Sequence, residues 1–220
     1  MEIEFRGHKF VFKDTATSKS LVDEIFGDNY KVFEKGIVFE KGDVVLDIGA
    51  SEGMFSVMMS KCFPETRIIS FEPVPKTFFT LRENLELNGC GNVESNNYGV
   101  GGKDVKSVVM YASEGNSGGS TYLCTYMPEC QYKVEVSLFS LDEVFSLCGI
   151  DRCKLLKMDV EGAEYDILYD SSVLPKVDNM VAEFHINSRL EFQSRRVDGL
   201  ITWVANQTNL IHAEICRMAE

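Results

Sequence analysis

The sequence predicts an α/β fold: a doubly wound, mostly parallel sheet with helices on both faces, preceded by a short N-terminal hairpin and helix. Three observations predict it. Short apolar runs alternate with helical patterns along most of the 220 residues. The run Val44–Ile48 passes straight into the turn Gly49-Ala50-Ser51-Glu52-Gly53 and a helix beginning near Met54. A second run, Arg67–Phe71, ends in Glu72-Pro73 about twenty residues beyond that turn.

The elements follow in order. Ile3–Phe5 and Lys9–Phe12 form a hairpin around Arg6-Gly7-His8, and Ser18 to Phe26 a helix with Leu21, Val22 and Ile25 on one face. Strand Val44–Ile48 leads to helix Met54–Cys62, and strand Ile68–Phe71 to helix Thr77–Asn88, which stops at Gly89. Asn92–Ser95 is a weaker strand. Lys106–Ala112 and Lys133–Leu138 are strand-like and flank a long polar loop beginning Ser113-Glu114-Gly115. A loop of that length is either surface chain or a substrate lid, and in a lid Ser120 and Tyr122 are the substrate-facing side chains. Leu155–Met158 and Met180–His185 are buried strands, Leu190–Gln207 a helix and Leu210–Arg217 a last strand.

The two glycines and the acids of the first motif indicate a ligand. Gly49 and Gly53 let backbone approach a bound molecule, and Asp47 can sit near positive charge. The dinucleotide pattern Gly-x-Gly-x-x-Gly and the Gly-Lys-Ser/Thr of a P-loop are both missing. Glu72 stands where an acid takes two ribose hydroxyls, its two oxygens accepting from a vicinal diol. The combination points to the sulfonium cofactor S-adenosylmethionine (SAM).

Composition narrows the partners. Thirty-four acids against 22 bases give a net charge of −12, so a large polyanion such as nucleic acid is disfavoured. Arg195-Arg196 and Lys31 with Lys35 are only small basic groups. No run is long and apolar enough for a membrane span, and Met1–Phe5 lacks the basic-then-apolar layout of a signal peptide. Seven cysteines without a Cys-x-x-Cys pair fit neither a zinc framework nor a disulfide lattice, and imply a reducing, cytoplasmic setting.

A second motif, Lys157-Met158-Asp159-Val160-Glu161-Gly162-Ala163-Glu164, delivers three carboxyl groups into the turn after a strand. That position opens onto the ligand crevice of a doubly wound sheet. Asp159 can orient a substrate hydroxyl or take its proton, whereas Glu161 or Glu164 can cap the following helix. Strand alternation places Glu183 and His185 on one face, with His185 the alternative base. Asp159, Glu183 and His185 would suit a divalent ion only if they converge, which spacing does not show, so no metal is assigned.

These motifs resemble the FkbM family of SAM-dependent methyltransferases, within the class I Rossmann-like group, from about Val44 to His185. The likeness rests on Val45–Ala50, Phe71-Glu72-Pro73, Asn84 and Asn88, Ser140-Leu141-Asp142, and Lys157–Glu164. The chain is read as one domain, with residues 1–43 an N-terminal hairpin and helix packed on the core and 44–220 the SAM-binding methyltransferase unit. The likeness implies O-methylation of a hydroxyl on a sugar, polyketide or similar small metabolite. Asp47, Gly49, Ala50, Ser51 and Gly53 would line the methionine and ribose side, Glu72 the ribose hydroxyls, and Tyr98 the adenine. Asp159, His185 and Glu183 form the candidate catalytic set. The group usually ends in a reversed hairpin, but one terminal strand is apparent here, so an edge strand is expected to be absent or supplied from elsewhere. A SAM- or nucleotide-binding subunit without transfer activity, and a protein or RNA methyltransferase, are the competing readings.

Overall fold

A computed structural model describes residues 1–27, 29–112, 132–186 and 197–217. The expected lid residues Ser120 and Tyr122, Arg195 and Arg196, and the first turns of the helix expected from Leu190 lie outside the described residues.

Among the described residues the central sheet has six strands, all parallel: β3 (Val44–Ile48), β4 (Arg67–Phe71), β5 (Val93–Asn96), β9 (Cys153–Met158), β10 (Val177–Ile186) and β11 (Asn209–Arg217). Their order across the sheet is β5-β4-β3-β9-β10-β11. The chain therefore winds outward from β3 in one direction, then returns to β9 and winds outward in the other. The reversal leaves a crevice beyond the carboxyl ends of β3 and β9, where ligands of such sheets bind.

Side-chain alternation sorts the core into two layers. Leu46 and Ile48 of β3 point to a layer filled by α4 (Leu141–Leu147), α5 (Glu164–Tyr169) and α6 (Val197–Ala205). Val45 points to the other, filled by α1 (Ser18–Phe26), α2 (Met54–Cys62) and α3 (Pro75–Asn88). The hairpin β1 (Glu2–Phe5) and β2 (His8–Val11) packs on this second layer through Phe10, which with Phe12 is almost wholly buried. Both faces are thus covered, as near-continuous apolar strands require.

Helix ends follow local chemistry. α3 begins at Pro75, two residues before the expected start, because proline's missing N–H and fixed φ suit the first turn. Gly89 closes it at φ +66. α4 opens on a reciprocal capping box between Ser140 and Glu143.

Two features go beyond what the sequence specifies. β11 runs parallel to β10, with no reversed strand in the central sheet among the described residues, because α6 carries the chain back across the layer. A separate three-stranded sheet also forms, from β6 (Gly99–Gly101), β7 (Ser107–Ala112) and β8 (Tyr132–Ser140), ordered β6-β8-β7. It includes both strand-like segments that flank the long loop.

Candidate active site

The turn after β3 is held by backbone geometry rather than by side chains. Gly49 has φ +76, and a Cβ on it would lie 1.7 Å from the Asp159 carbonyl oxygen. Only glycine allows the turns after β3 and β9 to meet so closely. The Gly49 and Ala50 N–H groups donate to Phe71 O at 3.1 and 2.9 Å. Gly53 caps α2 at φ +83, directly against Leu81.

Glu72 braces the same turn. Its Oε2 accepts from Ser51 N–H at 3.0 Å and its Oε1 from Val74 N–H at 2.8 Å, leaving a lone pair on each oxygen. Burial pushes its carboxyl group up to about 8, against the pull of those two N–H groups. The folded protein thus holds a proton that the unfolded chain releases near pH 4.5. The resulting stability is full below 4.5 and lost as pH rises through about 8. The thermal midpoint of the ligand-free protein is expected to fall from about pH 5 to 8.5, and Glu72→Gln to flatten that fall. Identical slopes in the two proteins would locate the pH sensitivity elsewhere.

Beside Glu72 lies a cleft. One wall carries Gly49, Ser51, Asp159 and Glu161; Val100, Met110 and Leu138 of the small sheet make the apolar wall opposite. An apolar pocket with a few convergent polar groups suits a small molecule.

An ion network underlies the cleft. Lys157 is buried and donates to Gly49 O at 2.7 Å, with its Nζ 3.6 Å from Asp47 and 3.7 Å from Asp159. Burial alone would lower its pKa, but the carboxylates of Asp159, Asp47, Glu24 and Glu183 outweigh that and hold it raised. Burial raises Asp159, with Lys157 opposing. His185 meets Glu164 through Nδ1 at 2.8 Å and faces Glu161 and Asp159 through Nε2, at 3.4 and 3.9 Å. Burial works against protonation of His185, yet Glu164, Glu161 and Asp159 carry its pKa up to about 9.

The methyltransferase FkbM domain model matches residues 47–211, three-quarters of the chain. The chain belongs to the FkbM family of SAM-dependent methyltransferases. Methyltransferase 1 of Beauveria bassiana is 28% identical over 164 residues, 66% of this chain and 66% of that protein. The AMB antimetabolite synthetase AmbE of Pseudomonas aeruginosa is 29% identical over 81% of this chain, which spans only 10% of that synthetase. The 31-O-demethyl-FK506 methyltransferase FkbM of Streptomyces tacrolimicus is 29% identical over 75% of this chain and 74% of its own length.

Within this FkbM domain the expected site residues divide. Gly49, Ser51, Glu72 and Asp159 line the cleft. Ala50 and Gly53 are buried in the turn behind it. Asp47 does not line it: wholly buried within the sheet, it accepts from Ser56 Oγ at 2.6 Å and stands opposite Lys157 in the strand register. Tyr98 is half-exposed and meets Phe139 edge-on. Glu183 accepts from the Tyr30 hydroxyl at 2.8 Å, and that hydroxyl also lies 3.1 Å from Glu24. Burial, with Glu183 nearby, pushes Glu24 up to about 7. Glu161 sits in a turn at φ +52 rather than in a helix, whereas Glu164 opens α5 and accepts from Gly162 N–H.

Glu52 and Lys157 are positions that motif reading passed over. Thr15 and Thr17 donate to Glu52 at 2.7 and 2.8 Å, tying the N-terminal segment to the glycine turn. Asn84 completes the clamp, donating to Glu52 O and accepting from Lys13 N–H, both at 2.8 Å. The one available signal for Lys157 was a lysine in an otherwise apolar strand, since such a charge is buried only with partners.

Proposed function

We propose that this domain transfers a methyl group from SAM to a hydroxyl of a small metabolite or sugar. The observation that carries the reading is the meeting of Glu72, the Gly49–Gly53 turn and Asp159 around one cleft at the sheet's point of reversal. The name of the Streptomyces relative, an O-demethyl-FK506 methyltransferase, supports oxygen as the acceptor atom.

The cleft fits such a cofactor. Once ionised, Glu72 has an unused lone pair on each oxygen for a ribose diol, and Val100, Met110 and Leu138 offer an apolar surface for an adenine ring. In this reading the amino-acid end lies beside Gly49 and Ser51, which line the cleft. SAM, when bound, provides an electrophilic methyl carbon.

The chain's own part is to orient and to manage a proton. Asp159 would hold the acceptor hydroxyl in line with the methyl carbon, and alignment of this kind accounts for much of the acceleration. Asp159 would accept the hydroxyl proton as the acceptor oxygen takes the methyl group. Lys157, 3.7 Å away, holds Asp159 in place and favours its charged form. His185 carries a proton at neutral pH through its three carboxyl neighbours, which suits an electrostatic role better than that of a base. The proposal includes a reducing, cytoplasmic setting, supported by Cys62, Cys90, Cys148, Cys153 and Cys216, all free thiols. No helix among the described residues is long and apolar enough to cross a membrane.

Calorimetric titration with SAM, S-adenosylhomocysteine and NAD tests the cofactor. Micromolar binding of the first two without NAD is expected, followed by turnover on hydroxylated acceptors. SAM binding without turnover on any acceptor class would favour a non-catalytic subunit, and a folded protein that ignores SAM would refute the reading.

A further inference from the structure

We propose that Asp159, Glu161 and His185 form a binding site for one divalent cation at the edge of the cleft. Their donor atoms all lie within 4.8 Å of one another. His185 Nε2 is 3.4 Å from Glu161 Oε2 and 3.9 Å from Asp159 Oδ1. Two donors about 2.1 Å from a shared ion stand about 3.0 Å apart at a right angle and about 3.4 Å at the tetrahedral angle. The His185–Glu161 pair already has the tetrahedral spacing, and the His185–Asp159 pair exceeds it by about half an ångström.

An independent observation comes from the other side of the ring. Glu164, wholly buried, meets His185 Nδ1 at 2.8 Å. A histidine that ligates a metal through one nitrogen almost always gives its other N–H to such an acceptor, which fixes the tautomer and aims the free nitrogen. Here Nε2 is aimed at two carboxyl groups, and an ion between them would take the place of the proton that Nε2 otherwise carries. The backbone cooperates, since Glu161 holds φ +52 and Glu164 also accepts from Gly162 N–H at 3.2 Å.

Two other groupings nearby are less suited. Glu24, Asp159 and Glu183 also approach one another, but the Tyr30 hydroxyl already bridges the two glutamates. Glu183, His185 and Cys216 converge as well, but Glu183 already holds Tyr30 and the Cys216 thiol at 2.8 and 3.3 Å.

One imidazole nitrogen and two carboxylate oxygens, with positions left for water or substrate, favour Mn²⁺ or Zn²⁺ over Mg²⁺. The role of the ion rests on the methyltransferase reading, although its binding does not. Beside Asp159 it would bind the acceptor oxygen and ease loss of its proton. Asp159 would ligate through Oδ1, leaving Oδ2 on the Lys157 side.

The test titrates EDTA-treated protein with MnCl₂, following loss of the free-ion electron paramagnetic resonance signal, and with ZnCl₂ by calorimetry. SAM affinity is measured on the same samples. One ion per chain is expected, with Glu164→Gln weakening it about 10–100-fold through the imidazole alone. Glu161→Gln is expected to weaken it at least about tenfold, and its partly exposed side chain keeps the test valid where His185→Gln does not fold. Wild-type protein that binds SAM but no Mn²⁺ or Zn²⁺ up to about 1 mM would overturn the site and leave the methyltransferase reading standing. Ion binding unchanged in Glu161→Gln would also overturn it. Ion binding by protein that ignores SAM would uphold the site and remove the proposed role.

Discussion

Gly49→Ala is expected to be the most destabilising single substitution in the site, by about 3–5 kcal/mol. At about 2–4 °C per kcal/mol for a chain of this size, the thermal midpoint falls by about 6–20 °C. The obstruction is backbone: the new Cβ would stand 1.7 Å from Asp159 O and 2.9 Å from Asp159 C, so no rotamer change relieves it. Relief requires the ends of β3 and β9 to part. That strains the Asp159 N–H bond to Ile48 O, at 3.1 Å, and the Lys157 bond to Gly49 O, at 2.7 Å. Gly36→Ala is the matched control, at φ +64 with open space around it, and is expected to cost only about 1 kcal/mol. Calorimetric melting of both variants checks the pair, and equal midpoints would show that the two turns are not in contact.

Asp159→Asn is expected to lower turnover by about 10²–10⁴-fold while SAM affinity changes little. The substitution preserves shape and removes the charge that faces Lys157. Steady-state kinetics with a responsive acceptor, alongside calorimetry with SAM, separates the two effects. Turnover within a few-fold of wild type would take Asp159 out of the reaction. A parallel loss of SAM affinity would make it part of the cofactor site instead.

Much of the framework was legible in the chain because it is local. A strand running into Gly49-x-x-x-Gly53 and a second strand ending in Glu72 announce a nucleotide-type crevice, since turn conformation and strand period act over a few residues. The hairpin, the first two strand–helix units and the alternation of elements were legible for the same reason. Asp47 shows the limit of such reading. One residue short of its strand's end, it points into the sheet toward Lys157, a partner 110 positions away that local sequence does not name. The β11 direction was likewise hidden, because the crossover and not the strand decides it.

The chain on its own therefore establishes the α/β class, the family and the alternation of strands and helices along it. Folding alone decides which acids face the cleft and which are buried beneath it. It brings Glu52 to Thr15 and Thr17, and His185 to Asp159, Glu161 and Glu164. The physical reason is range: turns and periodicity are set by neighbours in the chain, whereas the charge state and partners of a buried side chain depend on groups brought close by packing.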